Sequence, residues 1–167
     1  MEKPLMTLKA ACLAGSLALA LSTGAYAATA TGTLNLSITI TSTCSVVSAT
    51  AINFGSVSAI AANIDQTSTL TVNCSSTTPY TVGLGVGGGT GATTAVRKMT
   101  NGANAVNYTL YRDAARTLLW GTTIGTDTAA GTGTGADQTL TIYARTPTQA
   151  VPPPGAYTDA VTITITY

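Results

Sequence analysis

Two segments of this chain, Thr33–Thr41 and Val161–Tyr167, alternate polar and apolar residues without a break. In the first, Leu34, Leu36, Ile38 and Ile40 are separated by Asn35, Ser37 and Thr39. In the second, Val161, Ile163 and Ile165 are separated by threonines. A period of two places the two classes on opposite faces of an extended strand, which suits a sheet with one buried face and no helix. The first segment is oddly placed, on an N-terminal stretch where chains usually fray. A strong amphipathic strand there needs a sheet to complete it, either its own or another molecule's. The second segment closes the chain at Tyr167. The expectation is therefore an extra strand at the front and no strand after the last.

The first 27 residues read as an export signal. Lys3 and Lys9 open it, Ala10 to Leu21 form an apolar run, and Ala25-Tyr26-Ala27 is a small-x-small cleavage pattern. The run is shorter than the roughly 20 residues a membrane helix needs. Cleavage after Ala27 leaves 167 − 27 = 140 residues, enough for one ordinary domain. That part carries five basic residues (Arg97, Lys98, Arg112, Arg116, Arg145) and five acidic ones (Asp65, Asp113, Asp127, Asp137, Asp159). A formal charge of zero permits association between copies and supplies no basic footprint for nucleic acid. Cys12 leaves with the signal. Cys44 and Cys74 then remain, and two cysteines in an exported chain point to one disulfide across a loop of about 30 residues.

Beyond the arm, short alternating runs fall at 69–74, 80–86, 106–111, 139–143 and 161–167, and Asn101-Gly102 marks a tight turn. Residues 126–135, rich in Thr, Gly and Ala, read as a mobile loop. Threonine makes up 33 of the 140 residues, a β-branched residue suited to the solvent face of a pleated sheet. The fold class expected is all-β, an antiparallel sandwich.

Histidine is absent, which removes Ser-His-Asp, Cys-His and histidine-metal chemistry. Gly83-Leu84-Gly85-Val86-Gly87-Gly88 matches GxGxxG in form, but no helix or spaced acidic residue follows. It reads as a flexible strand end. Pro152-Pro153-Pro154 reads as a stiff loop. Arg97, Lys98 and Arg112 are expected in solvent, with Asp113 or Asp159 as possible partners of Arg112. Tyr80, Tyr108, Tyr111, Trp120, Tyr143 and Tyr157 are expected in the core or between sheets. No catalytic, cofactor or metal site is predicted.

Several motifs, in order, resemble the spore coat protein U domain family, which includes the pilins of archaic (Csu-type) chaperone–usher pili. They are Cys44-Ser45-Val46, Phe54-Gly55, Val72-Asn73-Cys74, Pro79-Tyr80-Thr81-Val82, Arg97-Lys98-Met99, Tyr108-Thr109-Leu110-Tyr111, Trp120-Gly121 and Gly155-Ala156-Tyr157-Thr158-Asp159. The likeness covers essentially the whole mature chain, with Ala144 standing where the family often has glycine. It implies an incomplete immunoglobulin-like β-sandwich, completed by donor-strand complementation. A periplasmic chaperone first lends a strand, and an outer-membrane usher directs its exchange for a neighbour's arm. On that reading residues 1–27 are the signal peptide, 28–42 the donor-strand arm and 43–167 the pilin domain. Leu34, Leu36, Ile38 and Ile40 contact the neighbour, an identical or related pilin. The product is a stalk subunit of a surface pilus that supports adhesion and biofilm formation. Two other readings stand beside it: a spore or cell-surface coat protein, and a free secreted β-sandwich binding module.

Overall fold

Eight strands and no helix form among residues 27–167, the part of the chain that the computed structural model describes. Residues 1–26 of the expected signal peptide lie outside the described residues. The strands are β1 (Cys44–Ala49), β2 (Ile64–Cys74), β3 (Pro79–Leu84), β4 (Arg97–Asn101), β5 (Asn104–Tyr111), β6 (Ala129–Thr132), β7 (Asp137–Thr146) and β8 (Ile163–Thr166). Every pairing is antiparallel. They form a five-stranded sheet in the order β1-β2-β7-β5-β4 and a three-stranded sheet in the order β6-β3-β8.

Alternation decides which side chains meet between the sheets. On β2, Leu70, Val72 and Cys74 are fully buried, whereas Thr67 and Thr69 face solvent. On β7, Ile142 and Ala144 point the same way as those core residues, and ten paired residues fix the register with β2, from Ile64↔Thr146 to Asn73↔Asp137. A one-residue slip would turn Leu70 and Ile142 out and their threonine neighbours in. Opposite them lie Tyr80, Val82 and Leu84 of β3, with Tyr108 and Leu110 of β5 and Trp120 closing the core. The expected core roles of Tyr80, Tyr108 and Trp120 hold, while Tyr111, Tyr143 and Tyr157 are half-buried.

The β4–β5 hairpin turns at Gly102-Ala103, with Asn101↔Asn104 the last pair. Gly102 has φ +57°, the conformation that a two-residue hairpin loop with glycine first requires. One reading needs correction here. Residues 126–135 are not a loop throughout, since β6 lies inside them and pairs with β3. A Cβ on Gly131 would come within 2.5 Å of the Tyr80 ring. The small residues there thus let an aromatic ring cover the strand. β1, unmarked by any alternation, is held by its ladder to β2, with a register shift between Val46 and Ser48.

Candidate functional site

β3 and β8 are neighbours in one sheet and differ in what lies beside them. Tyr80, Val82 and Leu84 of β3 are at most 4% exposed, and β3 is paired on both edges. Val161 ahead of β8, and Ile163 and Ile165 within it, have the same inward parity but are only half-buried. Among the described residues β8 pairs with β3 alone, and β1 is likewise an edge of the other sheet. A groove of about 340 Å³ opens beside them. Leu84, Tyr108, Leu110 and Ile142 line its floor, and Ala49–Ile52, Phe54, Val161 and Ile163 line its sides. Past Ile52, Phe54, Met99 and Tyr157, shared by both, it continues into a second lobe of about 540 Å³. Val57, Ile60, Ile64, Val106, Thr146 and the 151–156 loop line that lobe.

The free edge of β8 is the polar half of the site. The Gly85 amide donates to the Thr162 carbonyl at 2.9 Å, so in an antiparallel ladder residues 162, 164 and 166 address β3. The N–H and C=O of Ile163 and Ile165 then point away from β3, along the groove side. An apolar trough beside an unpaired strand edge is the geometry that strand addition uses in general.

The groove floor is held by polar contacts that the sequence did not reveal. Arg97, expected in solvent, is fully buried. Its guanidinium donates to the carbonyls of Leu84 (2.9 Å), Gly85 (2.8 Å), Thr94 (2.9 Å) and Trp120 (2.6 Å). It thereby ties β4 to the end of β3 across the sandwich. Burial lowers its pKa, opposed by the nearby Tyr108, Asp159 and Asp127. The Trp120 indole donates to the Val82 carbonyl at 2.8 Å. Tyr108 donates to Asp159 at 2.6 Å, and burial, then that hydrogen bond, pushes the phenol pKa well up. Asp159 also accepts from the Gly88 amide at 2.7 Å. The expected flexible strand end is therefore pinned. Arg112 pairs with neither Asp113 nor Asp159. It donates to the carbonyls of Leu119, Thr128 and Thr126. Lys98 reaches the Thr90 carbonyl at 2.8 Å. An alternating strand pattern hides such roles, because arginine on a strand reads as a solvent-side residue until its neighbours are known.

Cys44 and Cys74 are joined, with Cα atoms 4.1 Å apart on directly paired residues of β1 and β2. The bond fastens the start of β1, and with it the root of the arm, where the Thr43 amide also donates to Ser75 Oγ. The arm itself takes no strand conformation in the described structure. Leu34, Leu36, Ile38 and Ile40 are 81%, 84%, 87% and 88% exposed. Four branched aliphatic side chains in open water are a large unburied apolar surface for one segment.

The carboxylates are engaged in structural contacts. Asp65 pairs with Arg145 at 2.7 Å and Arg116 at 3.4 Å, and the Arg145 hydrogen bond in particular lowers its pKa. Asp113 accepts from the Leu118 and Thr117 amides. Asp127 accepts from the Thr123 amide, and Asp137 from Asn73. Among the described residues no three His, Cys, Asp or Glu side chains gather as metal ligands would.

Residues 30–164 match the model of the Spore Coat Protein U domain. Protein U of Myxococcus xanthus is 36% identical over 91 residues, which are 52% of this chain and 50% of that protein. The match thus spans half the length of this curated relative. A similar fold occurs in the crystal structure of the CsuC–CsuE chaperone–tip adhesion subunit pre-assembly complex, from archaic chaperone-usher Csu pili of Acinetobacter baumannii. The TM-score is 0.53 at 20% identity, covering 77% of this chain and 40% of that one.

Proposed function

Given that the chain belongs to the spore coat protein U domain family, we propose that it is a structural subunit of a chaperone–usher pilus. Residues 28–42 would be its donor arm and the β8 groove its acceptor. The observation that carries this reading is a complementarity within one chain. Residues 33–41 offer four apolar side chains at every second position, all more than 80% exposed. The domain has an apolar groove beside a strand with a free edge. Burying those four side chains, at about 1.5–3 kcal/mol each, stabilises the contact by roughly 6–12 kcal/mol, an upper figure before ordering costs. Main-chain bonds to β8 add to it.

The topology favours a fibre with a definite polarity. β1 starts, and β8 ends, at the same end of the sandwich, because β1 runs against β2, β8 runs against β3, and β2 and β3 are joined there by residues 75–78. The arm leaves from that end, at Thr43. Two copies joined at their arm ends would exchange arms reciprocally and close a pair. A neighbour entering from the opposite end gives a head-to-tail contact that repeats. In the fibre, the donated strand then runs antiparallel to β8.

The free groove needs cover before assembly, which is the service a periplasmic chaperone supplies, and an outer-membrane usher would direct the exchange. Export through the periplasm to the cell surface, a stalk position, and a part in adhesion and biofilm formation belong to the same proposal. It assigns the chain a structural role and no catalysis. In the test, Ile38→Asp is compared with Thr39→Asp at matched periplasmic subunit levels. Burying an unpaired carboxylate costs several kcal/mol, so Ile38→Asp abolishes fibres and Thr39→Asp is much milder. Equal fibre yield from Ile38→Asp and wild type removes the arm as connector. Fibres that persist when a neighbouring usher gene is disrupted favour the coat-protein reading instead.

A further inference from the structure

Resting on that reading, we propose that Ser42 of the donating copy seats in the second lobe against Thr146 and thereby sets the register of the inserted arm. Thr146 is 2% exposed, lines the second lobe, and its Oγ1 has no hydrogen-bond partner among the described residues. Buried hydroxyls are almost always paired, so an orphan hydroxyl beside an open lobe calls for an occupant with a polar group there. Asn53 and Ser56 also line the second lobe but are exposed, so Thr146 is its buried polar side chain, and its hydroxyl is able to tell one register from another.

The pleat places Thr146 along the groove. Ile142 and Ile163 both line the first lobe. β7 runs against β2, so Ala144 and Thr146 lie one and two pleats farther toward the end opposite the arm root. Val161 lies one pleat from Ile163 in the same direction. The proposal sets Ile142 level with Ile163, which puts Thr146 one pleat beyond Val161. A head-to-tail donor, antiparallel to β8, brings its later residues to this end. On the groove-facing parity, 34, 36, 38 and 40 are all aliphatic, and the next position is Ser42. Seating Ser42 against Thr146 pairs the two hydroxyls. Ile40, Ile38 and Leu36 then fall beside Val161, Ile163 and Ile165, the three half-buried side chains of that edge. A shift of two residues keeps every apolar row filled but sets Ile40 against the hydroxyl and leaves it unpaired.

The register is read by intermolecular disulfide trapping in assembled fibres, with the Cys44–Cys74 bond verified by mass. Donor Ser42→Cys or Ile40→Cys is mixed with acceptor Thr146→Cys, each as a minor fraction in wild-type subunits, so that fibre growth does not depend on the variants. A 42–146 bond at least tenfold more abundant than a 40–146 bond is the expected result, since a disulfide tolerates only a narrow Cβ separation. A dominant 40–146 bond overturns the register and leaves the donor-arm reading standing. Fibres in which neither position traps, and in which Ile38→Cys also fails to trap on Ile163→Cys, overturn both. As a second readout, Thr146→Val and Ser42→Ala each speed subunit loss from fibres, and the double variant is no worse than either alone. Thr146→Ser keeps the wild-type rate. Thr146→Val fibres as durable as wild type overturn the proposal.

Discussion

β3 and β8 share a sheet, a period of two and similar aliphatic residues, yet one is a closed core strand and the other half of an open seam. Leu84 and Ile163 pair directly. Both line the groove, but Leu84 is 1% exposed, with Arg97 and Trp120 bonded at its end of the strand, while Ile163 is only half-buried. Alternation tells which face a strand buries. It says nothing of whether a neighbour exists to bury it. In this fold the closed half is packed on both sides, and the open half leaves a strand edge and an apolar face uncovered, which the proposed function fills with a neighbour's arm.

That contrast can be broken by substitution. The largest effect is expected in the closed half, where Trp120→Ala removes a 1% exposed ring and its bond to Val82. A loss of about 3–5 kcal/mol is expected by denaturant unfolding. Arg97→Met follows, at about 2–4 kcal/mol, because several buried carbonyls lose their donor. An Arg97 variant as stable as wild type would mean that the carbonyl cage is not what fixes the groove floor. The seam should behave differently. Ile163→Ala is expected to cost under about 1 kcal/mol in the free subunit and about 2–4 kcal/mol once a peptide of residues 33–41 fills the groove. Equal costs in both states would mean that β8 is already complete.

The smallest effect lies on the outer face of the five-stranded sheet. Arg145 and Arg116 hold the Asp65 carboxyl below the usual carboxylate range. With the folded pKa below the unfolded value near 3.9, the pair stabilises the fold above that value. The contribution fades as pH falls through the folded pKa. Asp65 is about a third exposed, so the contribution is a few tenths of a kcal/mol. Asp65→Asn should flatten the acid limb of the stability curve by that amount and leave the neutral region nearly unchanged.

Much of this was legible in the sequence. The strand cores of β2, β3, β5, β7 and β8, the β4–β5 turn (flagged at Asn101-Gly102 and found one residue later at Gly102-Ala103) and the pairing of Cys44 with Cys74 follow from alternation, turn chemistry and cysteine count. Three things were not. β1 has no alternating signature, because its register to β2 shifts at Val46–Ser48. β6 is four small residues lying under Tyr80, which only tertiary pairing turns into a strand. Arg97 looks like a surface residue until the carbonyl ends of β3 and Trp120 converge on it. The groove was half visible: Ile163 and Ile165 showed an apolar face, but the half-buried sides at Ile52 and Phe54 come from a segment without regular structure. Thr146 carried no signal, since one threonine among 33 becomes distinctive only when its burial and lack of a partner are known.

Amide hydrogen exchange at Ile163 and Ile165 tests the central claim most directly. In the chaperone-free subunit these two amides, on the free edge of β8, should exchange quickly while that of Val82 is protected. In the fibre, or with the 33–41 peptide bound, they should slow by at least a hundredfold, with the β6 edge unchanged. Ile163 and Ile165 amides that are already protected in the free subunit, or that stay fast in the fibre, would contradict a strand-accepting groove.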